Sequence, residues 1–341
     1  MALAAPSVRK SSNNLVFCSL IRTFAGDFED MILEILIIIV CFAAVLWGAD
    51  RFTDGACGLA RRLKVSELVI GLTVVSLGTS LPEFIVSFMS VLRGSGDMSV
   101  GNVMGSNIFN ILVIIGSAAI MRNINVESSL LRRDIPICLL ASVLLCVFAY
   151  SGGSIARCEG LLLVAFFCGY LYLAYRVALK DRKEAQEEVN ANEMSMLKIL
   201  TLIVVGIAAL VIGGRVLVDT AASVAREWGV SESVIGMTIL AGGTSLPELA
   251  TSIMAARKGS FGLALGNVIG SNVFNIAFVI GLCSSVVPMA VTEIMVLDWC
   301  MLVGSVALVW LVGFTSRKFC LWEGILLVLC YLSYLAWLIM R

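Results

Sequence analysis

The hexapeptide Gly-Thr-Ser-Leu-Pro-Glu occurs twice in this chain, at residues 78–83 and 243–248, and each copy ends in a glutamate within a long apolar segment. An ionised carboxylate in the middle of a bilayer is costly unless a positive charge compensates it. No lysine or arginine occupies the middle of an apolar segment. One protonated, hydrogen-bonded glutamate would be an ordinary feature of a helix bundle, whereas two at matched positions favour a site. We therefore expect Glu83 and Glu248 to bind a cation.

The residues before each glutamate offer further oxygen atoms. Thr79 and Ser80 precede Glu83 by four and three residues, so helical periodicity places all three on one face. The second copy repeats this spacing with Thr244, Ser245 and Glu248. Because proline has no N–H, Pro82 and Pro247 each free a backbone carbonyl at the depth of the carboxylate. Oxygen donors without nitrogen or sulfur suit Ca²⁺ or Na⁺ rather than Zn²⁺ or Cu²⁺.

A second repeated motif supplies polar residues to the next helix. Its frame, Gly-Asn-Val-x-Gly-Ser-Asn-x-Phe-Asn-Ile, spans residues 101–111 and 266–276. Residues 102, 106 and 110 recur at four-residue spacing, which lines one helical face with amide and hydroxyl oxygens. We expect ligand or ligand-supporting roles for Ser106, Asn110, Ser271 and Asn275. For Asn102 and Asn267 the favoured interpretation is tight packing between helices rich in small residues.

Both motifs belong to a long internal repeat. Residues 66–116 align without gaps to residues 231–281 at a shift of 165, with 27 identities in 51 positions. Further matched residues extend the duplication over five apolar segments in each half. Because five is odd, the second half must enter the membrane from the opposite side. Inverted repeats of this kind are typical of transporters, whose site lies at the repeat interface near the midplane.

The composition indicates a membrane protein. Of the 341 residues, 60% are hydrophobic and 14% are charged, which leaves room for about ten spans of roughly 20 apolar residues. We predict an all-α membrane protein of ten transmembrane helices arranged as two inverted five-helix repeats. The expected spans are residues 31–50, 66–92, 99–121, 134–151, 156–179, 196–222, 231–256, 261–290, 292–314 and 320–340. The expected domains are a disordered extension (1–30), a first repeat (31–179), a cytoplasmic linker (180–195) and a second repeat (196–341).

Basic residues predict the orientation in the membrane. Sixteen lysines and arginines fall in the odd-numbered connections between the expected spans, against four in the even-numbered connections. Because cytoplasmic loops carry the excess of these residues, the odd connections are expected in the cytoplasm and both termini outside. We expect an integral protein of the bacterial inner (plasma) membrane.

Composition also excludes several functions. The chain has no histidine, which removes histidine-based catalysis and ligation, and its 11 cysteines include no Cys-x-x-Cys pair. Lysine plus arginine equals aspartate plus glutamate at 24 each, and the basic residues are scattered, so nucleic-acid binding is not expected. We expect no cofactor. The expected partners are the lipid bilayer and the transported ions, with a monomer sufficient.

The paired motifs resemble those of the Ca²⁺/cation antiporter superfamily, and residues 31–341 are most similar to its prokaryotic sodium/calcium exchangers. The resemblance implies two inverted five-helix halves whose second, third, seventh and eighth helices surround the cation sites. The two acidic ligands of the family match Glu83 and Glu248. Its other ligands match hydroxyls of Thr79, Ser80, Ser106, Thr244, Ser245 and Ser271, carbonyls of Ser76 and Ala241, and amides of Asn110 and Asn275.

The resemblance also implies a function, which is Na⁺/Ca²⁺ antiport by alternating access and not an enzymatic reaction. The first and sixth helices are expected to slide across a fixed site. Potassium-dependent relatives carry an aspartate at the position of Asn275, so the amide predicts exchange that is independent of K⁺. A Ca²⁺/H⁺ antiporter and a passive cation channel remain open alternatives. An intramembrane hydrolase would also hold two carboxylates, but it would not require matched Thr-Ser pairs and asparagine stripes.

Overall fold

The chain folds almost entirely into helices. A computed structural model describes residues 9–184, 194–230, 239, 241–292 and 294–340, with the backbone alone at 9–31, 151 and 241. The α-helices are α1 (Arg9–Leu63), α2 (Glu67–Ile70), α3 (Ser76–Thr79), α4 (Leu81–Leu92), α5 (Gly96–Phe109), α6 (Ile115–Met121), α7 (Ile135–Gly152), α8 (Arg157–Glu184), α9 (Met196–Glu227), α10 (Ala241–Gly243), α11 (Leu246–Arg257), α12 (Phe261–Val273), α13 (Gly281–Val286), α14 (Val296–Ser316) and α15 (Leu321–Met340). Turns of π-helix are π1 (Gly71–Val75), π2 (Asn110–Ile114), π3 (Leu130–Asp134) and π4 (Phe274–Ile280).

Within the described residues, eight helices are long and apolar enough to cross a membrane. A ninth candidate span consists of Glu67–Thr79 and Leu81–Leu92, which meet at a bend of 48°. These nine correspond to nine of the expected spans. The other expected span, 231–256, is described only from residue 241 onward, where α10 and α11 lie. The chain is therefore an all-helical integral membrane protein.

Several helix boundaries differ from the expectation, and α1 continues to Leu63, well beyond the expected end of the first span at residue 50. Helix α1 begins at Arg9, inside the segment predicted to be disordered, because residues 9–30 contain no proline and a single glycine. Its part from Ile32 to Leu63 is long and apolar enough to cross a membrane. Helix α8 continues to Glu184, so the first residues of the predicted linker are helical. The rest of that linker, 185–193, lies outside the described residues.

Two spans form the centre of the protein. In their most apolar stretches, 94% of the residues of Phe261–Val286 and 72% of those of Gly96–Met121 are buried, against 11–39% in the other spans tested. These two inner spans carry the asparagine-rich motifs, and the surrounding helices expose many large apolar side chains, as lipid contact requires. The polar residues of the motifs therefore lie inside the protein and not against lipid.

Short strands join loops from the two halves of the chain. Strand β1 (Ile124–Asn125) pairs antiparallel with β4 (Lys318–Phe319), and β2 (Ser154–Ile155) pairs antiparallel with β3 (Met289–Ala290). Each ladder connects a loop before residue 160 to a loop after residue 285. The ladders thus fix the ends of the inner spans relative to the outer helices.

Helices α1 and α9 pack closely through glycine. A Cβ atom at Gly206 would lie 2.7 Å from the backbone nitrogen of Phe52 and 2.9 Å from the carbonyl oxygen of Gly48. Phe52 is itself fully buried. A larger residue does not fit at Gly206 without movement, so the backbones of the two helices approach each other there, as small residues allow in membranes.

An ionic cluster joins α1 to the end of α11. Lys258 Nζ lies 2.7 Å from Asp50 Oδ1 and 2.6 Å from Asp54 Oδ1, and Arg51 lies 2.7 Å from the second oxygen of Asp50. Burial alone would lower the pKa of Lys258, but hydrogen bonds to both aspartates outweigh it and raise the pKa above its usual value. Lys258 therefore stays charged at neutral pH and ties α1 to α11.

Candidate cation-binding site

Each Gly-Thr-Ser-Leu-Pro-Glu segment breaks its helix just before the glutamate. Helix α3 ends at Thr79, Ser80 leaves the helical conformation with φ −84° and ψ 10°, and α4 starts at the next residue. Ser245 has nearly the same conformation, φ −85° and ψ 6°, before α11. Proline at the start of each new helix explains the break, because it cannot donate to the preceding turn. Both proline breaks predicted from the sequence are present.

The two glutamates lie in the first turn of the helices that follow these breaks. Glu83 is the third residue of α4 and Glu248 is the third residue of α11, and both side chains are 0% exposed. The first turn is the positive end of the helix dipole, which favours a carboxylate. Among the described residues, neither glutamate forms an ion pair with lysine or arginine. These carboxylates are thus buried without a charged partner from the described protein.

The serine of each motif contacts the glutamate of the other motif. Ser80 Oγ donates to Glu248 Oε1 at 2.7 Å, and Ser245 Oγ donates to Glu83 Oε1 at 3.3 Å. Ser106 Oγ lies 3.3 Å from Glu83 Oε1 and 2.9 Å from Ser245 Oγ. Helical spacing associated Ser80 with Glu83, whereas its hydrogen bond crosses to the other half of the chain. The two motifs therefore face each other and share one buried polar region.

Thr79 and Ser76 have partners of their own. Thr79 Oγ1 lies 3.1 Å from Asn267 Oδ1 on the opposite inner helix. Ser76 Oγ donates to the carbonyl four residues back at 2.9 Å, and the Ser76 carbonyl accepts from the Ser80 N–H at 3.1 Å. The Thr79 hydroxyl lies 3.5 Å from this carbonyl oxygen but only 3.1 Å from the Val75 carbonyl. With its one proton given to Val75, the second lone pair of the Ser76 carbonyl is open to a cation. Ala241, its equivalent at the shift of 165, is the first residue of α10.

Thr244 and Ser271 have no hydrogen-bond partner for their side-chain oxygens among the described residues, although both oxygens are buried. Ser271 is next to Gly270, where a Cβ atom would lie 2.7 Å from Ser76 Oγ. Helix α12 therefore abuts α3 at the level of Ser271. The structure thus places Ser271 beside the broken helix, and its role as a ligand stays a prediction.

The two predicted amide residues lie in turns of π-helix. Asn110 is the first residue of π2, and Asn275 is the second residue of π4. Turns of π-helix frequently occur at functional sites. Asn110 Nδ2 donates to Asn272 Oδ1 at 3.2 Å, and Asn275 Nδ2 donates to Asn107 Oδ1 at 3.2 Å. The Oδ1 atoms of Asn110 and Asn275 have no partner among the described residues.

Sequence reasoning gave no role to four polar residues that hold this region together, namely Ser87, Asn107, Ser252 and Asn272. Asn102 Nδ2 donates to Ser87 Oγ at 2.9 Å, and Asn267 Nδ2 donates to Ser252 Oγ at the same distance. Asn102 and Asn267 therefore join neighbouring helices, in agreement with the packing interpretation. The signal for the missed residues was their identity in both copies of the repeat.

Half of the buried, partnerless polar side-chain atoms in the described chain belong to predicted ligands. These six atoms are Glu83 Oε2, Glu248 Oε2, Thr244 Oγ1, Ser271 Oγ, Asn110 Oδ1 and Asn275 Oδ1. An unpaired buried polar group costs about 1–3 kcal/mol, so native structures rarely retain one without a reason. Carboxylate, hydroxyl and amide oxygens are the ligands of hard cations such as Ca²⁺. The arrangement has the chemistry to bind such a cation.

Apolar helices that enclose two buried carboxylates without a basic partner among the described residues define an integral membrane transport protein. The sequence profile of the sodium/calcium exchanger protein family matches residues 33–176 and 198–340, which is most of the chain. The chain belongs to this family. The resemblance inferred from the repeated motifs is thereby confirmed.

Individual relatives agree with this assignment. The inner membrane protein YrbG of Escherichia coli (strain K12) is 39% identical over 76% of this chain and 81% of its own length. The sodium/calcium exchanger MaX1 of Methanosarcina acetivorans is 31% identical over 88% of this chain and 97% of its own. The sodium-calcium exchanger NCX_Mj, in crystals soaked with zero Na⁺ and Ca²⁺, superposes with a TM-score of 0.78 at 31% identity, covering 90% and 99% of the two chains.

Proposed function

We propose that this protein is a secondary active antiporter that exchanges Na⁺ for Ca²⁺, independently of K⁺. The observation that carries the proposal is the pair Glu83 and Glu248, both fully buried, without a basic partner in the described chain, and each with a partnerless oxygen. A charge of −2 in a low-dielectric interior is balanced by one Ca²⁺ or by two Na⁺. Because the two ions would use the same oxygens, they exclude each other, and that exclusion couples their movements.

We propose an architecture of ten spans in two inverted repeats, with the site at the repeat interface. Equivalent contacts support it, since Asn107 Nδ2 donates to the Asn272 carbonyl and Asn272 Nδ2 donates to the Asn107 carbonyl, at 3.2 and 3.1 Å. The expected span over residues 231–256 would supply the tenth helix. Both termini would lie on the non-cytoplasmic side of the bacterial inner membrane, as the distribution of basic residues predicts.

Alternating access would move α1 and α9 together relative to the inner spans. Their close contact at Gly206 and Phe52 supports movement as one unit. The site itself is formed by residues of α3, α4 and α5 and of their counterparts in the second half, α10, α11 and α12. The proposed ligands are Ser76, Thr79, Ser80, Glu83, Ser106, Asn110, Ala241, Thr244, Ser245, Glu248, Ser271 and Asn275.

The test is Ca²⁺ uptake into liposomes that contain the purified protein, with protein-free liposomes as the control. An outward Na⁺ gradient should drive uptake, and a protonophore should leave the rate unchanged. Uptake driven by a pH gradient and abolished by the protonophore would instead identify a Ca²⁺/H⁺ antiporter. Ca²⁺ flux that needs no counter-ion on the other side would identify a passive channel.

A further inference from the structure

Asn107 and Asn272 hold each other in a fixed orientation across the two inner spans. Asn107 Nδ2 donates to the backbone carbonyl of Asn272 at 3.2 Å, and Asn272 Nδ2 donates to the backbone carbonyl of Asn107 at 3.1 Å. Both side chains are buried, at 1% and 0% exposure. A carbonyl oxygen can only accept, so each amide must present its nitrogen to it. The amide oxygen of each residue therefore points away from that carbonyl.

This orientation passes to the next pair of asparagines. Asn107 Oδ1 accepts from Asn275 Nδ2 at 3.2 Å, and Asn272 Oδ1 accepts from Asn110 Nδ2 at 3.2 Å. With their nitrogens committed to these bonds, Asn275 and Asn110 must turn their oxygens the other way. Those two oxygens are the partnerless, buried Oδ1 atoms. The direction of both amides thus follows from two backbone carbonyls, which cannot change their role.

We infer that Asn107 and Asn272 are positioning residues that aim the amide oxygens of Asn275 and Asn110 at the transported cation. This inference rests on the proposed function, because it assigns the partner of the two free oxygens. An asparagine that turned over would present an N–H group to the cation and repel it. Partners that orient a metal ligand typically contribute 10- to 100-fold to metal affinity. Neither Asn107 nor Asn272 needs to touch the ion to have this effect.

Calcium affinity of the purified protein tests the inference without depending on the counter-ion. It is measured from the increase in unfolding temperature with Ca²⁺ concentration, since a ligand that binds the folded state stabilises it by RT ln(1 + [L]/Kd). Asn107→Ala and Asn275→Ala should each raise the Ca²⁺ Kd by about tenfold or more. The double variant should raise it no further than the larger single effect, because Asn107 acts through Asn275. Ser142→Ala is the control, as Ser142 is buried but bonds within its own helix at 3.0 Å.

The repeat provides a second, independent cycle with Asn272→Ala and Asn110→Ala, which keeps the test possible if one variant does not fold. Effects on Kd that multiply in the double variants would overturn the inference, as would single variants that lose thermal stability with an unchanged Kd. Wild-type protein that Ca²⁺ does not stabilise would overturn both this inference and the proposed function. Wild-type Ca²⁺ binding with multiplying effects would overturn the inference alone.

Discussion

Ser80 Oγ donates a hydrogen bond to Glu248 Oε1 across 2.7 Å, although the two residues are 168 positions apart. The reciprocal bond, from Ser245 to Glu83, is longer at 3.3 Å, and Glu83 also receives one from Ser106. Hydrogen bonds to an ionised acceptor are shorter and stronger than neutral ones. The two carboxylates thus share a single buried region but differ in their surroundings. Each half of the chain therefore supplies a hydrogen bond to the buried glutamate of the other half.

Potassium should have no effect on exchange. The neutral amide of Asn275 adds no third negative charge, and an additional monovalent ion would remain uncompensated in a low-dielectric site. We expect Na⁺-driven Ca²⁺ exchange to continue at the same rate when K⁺ on both sides is replaced by choline at fixed voltage. A strict K⁺ requirement would contradict this account and indicate another acidic group at the site, such as Asp54 or Asp219.

Asn275→Asp should make exchange depend on pH. The new carboxylate would face Asn107 Oδ1. The Asn107 amide cannot turn over without losing the hydrogen bond from its Nδ2 to the Asn272 carbonyl. Two acceptors face to face are unfavourable, so the carboxyl group must take up a proton or bind a further cation. We expect the exchange rate of the variant to depend more steeply on pH than that of the wild type, measured in the same liposomes. Parallel pH profiles would show that position 275 lies away from the site.

The contact between α1 and α9 predicts a stability defect. Gly206→Ala would place a Cβ atom 2.7 Å from the backbone of Phe52, closer than Cβ atoms approach in proteins. Overpacking of this kind costs about 1–3 kcal/mol, so the unfolding temperature in detergent should fall. Gly304→Ala is the matched control, because a Cβ there would meet no described atom within 4 Å apart from its chain neighbours and the backbone of its own helix. Equal unfolding temperatures for the two variants would refute the close packing.

Lys258→Met should shift the balance between inward- and outward-facing states. Lys258 ties Asp50 and Asp54 of α1 to the end of α11, and partly exposed pairs of this kind contribute about 0–1 kcal/mol. A shifted balance changes the apparent Ca²⁺ affinity in opposite directions on the two faces of the membrane, here by up to about fivefold. Uptake measured from each face distinguishes a shifted balance from damage to the site, which would lower the apparent Ca²⁺ affinity on both faces. Lys318→Met serves as the control.

Labelling tests the orientation in the membrane. After replacement of the native cysteines, Lys183→Cys and Arg341→Cys each carry one thiol for an impermeant reagent. The excess of basic residues in the odd connections predicts that position 183 is labelled only after the cells are opened, whereas position 341 is labelled in intact cells. The reverse pattern would show the opposite orientation.

Much of this arrangement follows from the sequence. The proline breaks and the burial of Glu83 and Glu248 could be predicted because proline chemistry and hydropathy are local properties. The partner of Ser80 could not, because helical spacing assumes a continuous helix and the 48° bend removes that assumption. Asn107 was missed because its role depends on a backbone carbonyl from the other half of the chain. Such contacts require knowledge of how distant helices meet.

The start of the first helix also could not be predicted from composition. Polar residues between 9 and 30 indicated disorder, but helix formation needs only tolerance of the helical backbone, which this segment has. Hydropathy still located the span itself, since residues 32–63 of α1 are long and apolar enough to cross a membrane.

The most direct test of the account is Na⁺-gradient-driven ⁴⁵Ca²⁺ uptake by Glu83→Gln and Glu248→Gln. Glutamine keeps the size of the side chain and removes the charge that compensates the cation. Each variant should fold, as judged by its unfolding temperature, and its uptake rate should fall at least about 100-fold, as expected when one partner of a buried charge pair is lost. Glu159→Gln is the matched control, because its amide oxygen can still accept from the Ala156 N–H that Glu159 caps at 2.7 Å. Uptake near the wild-type rate in both Glu83→Gln and Glu248→Gln would contradict the assignment of these glutamates to the cation site.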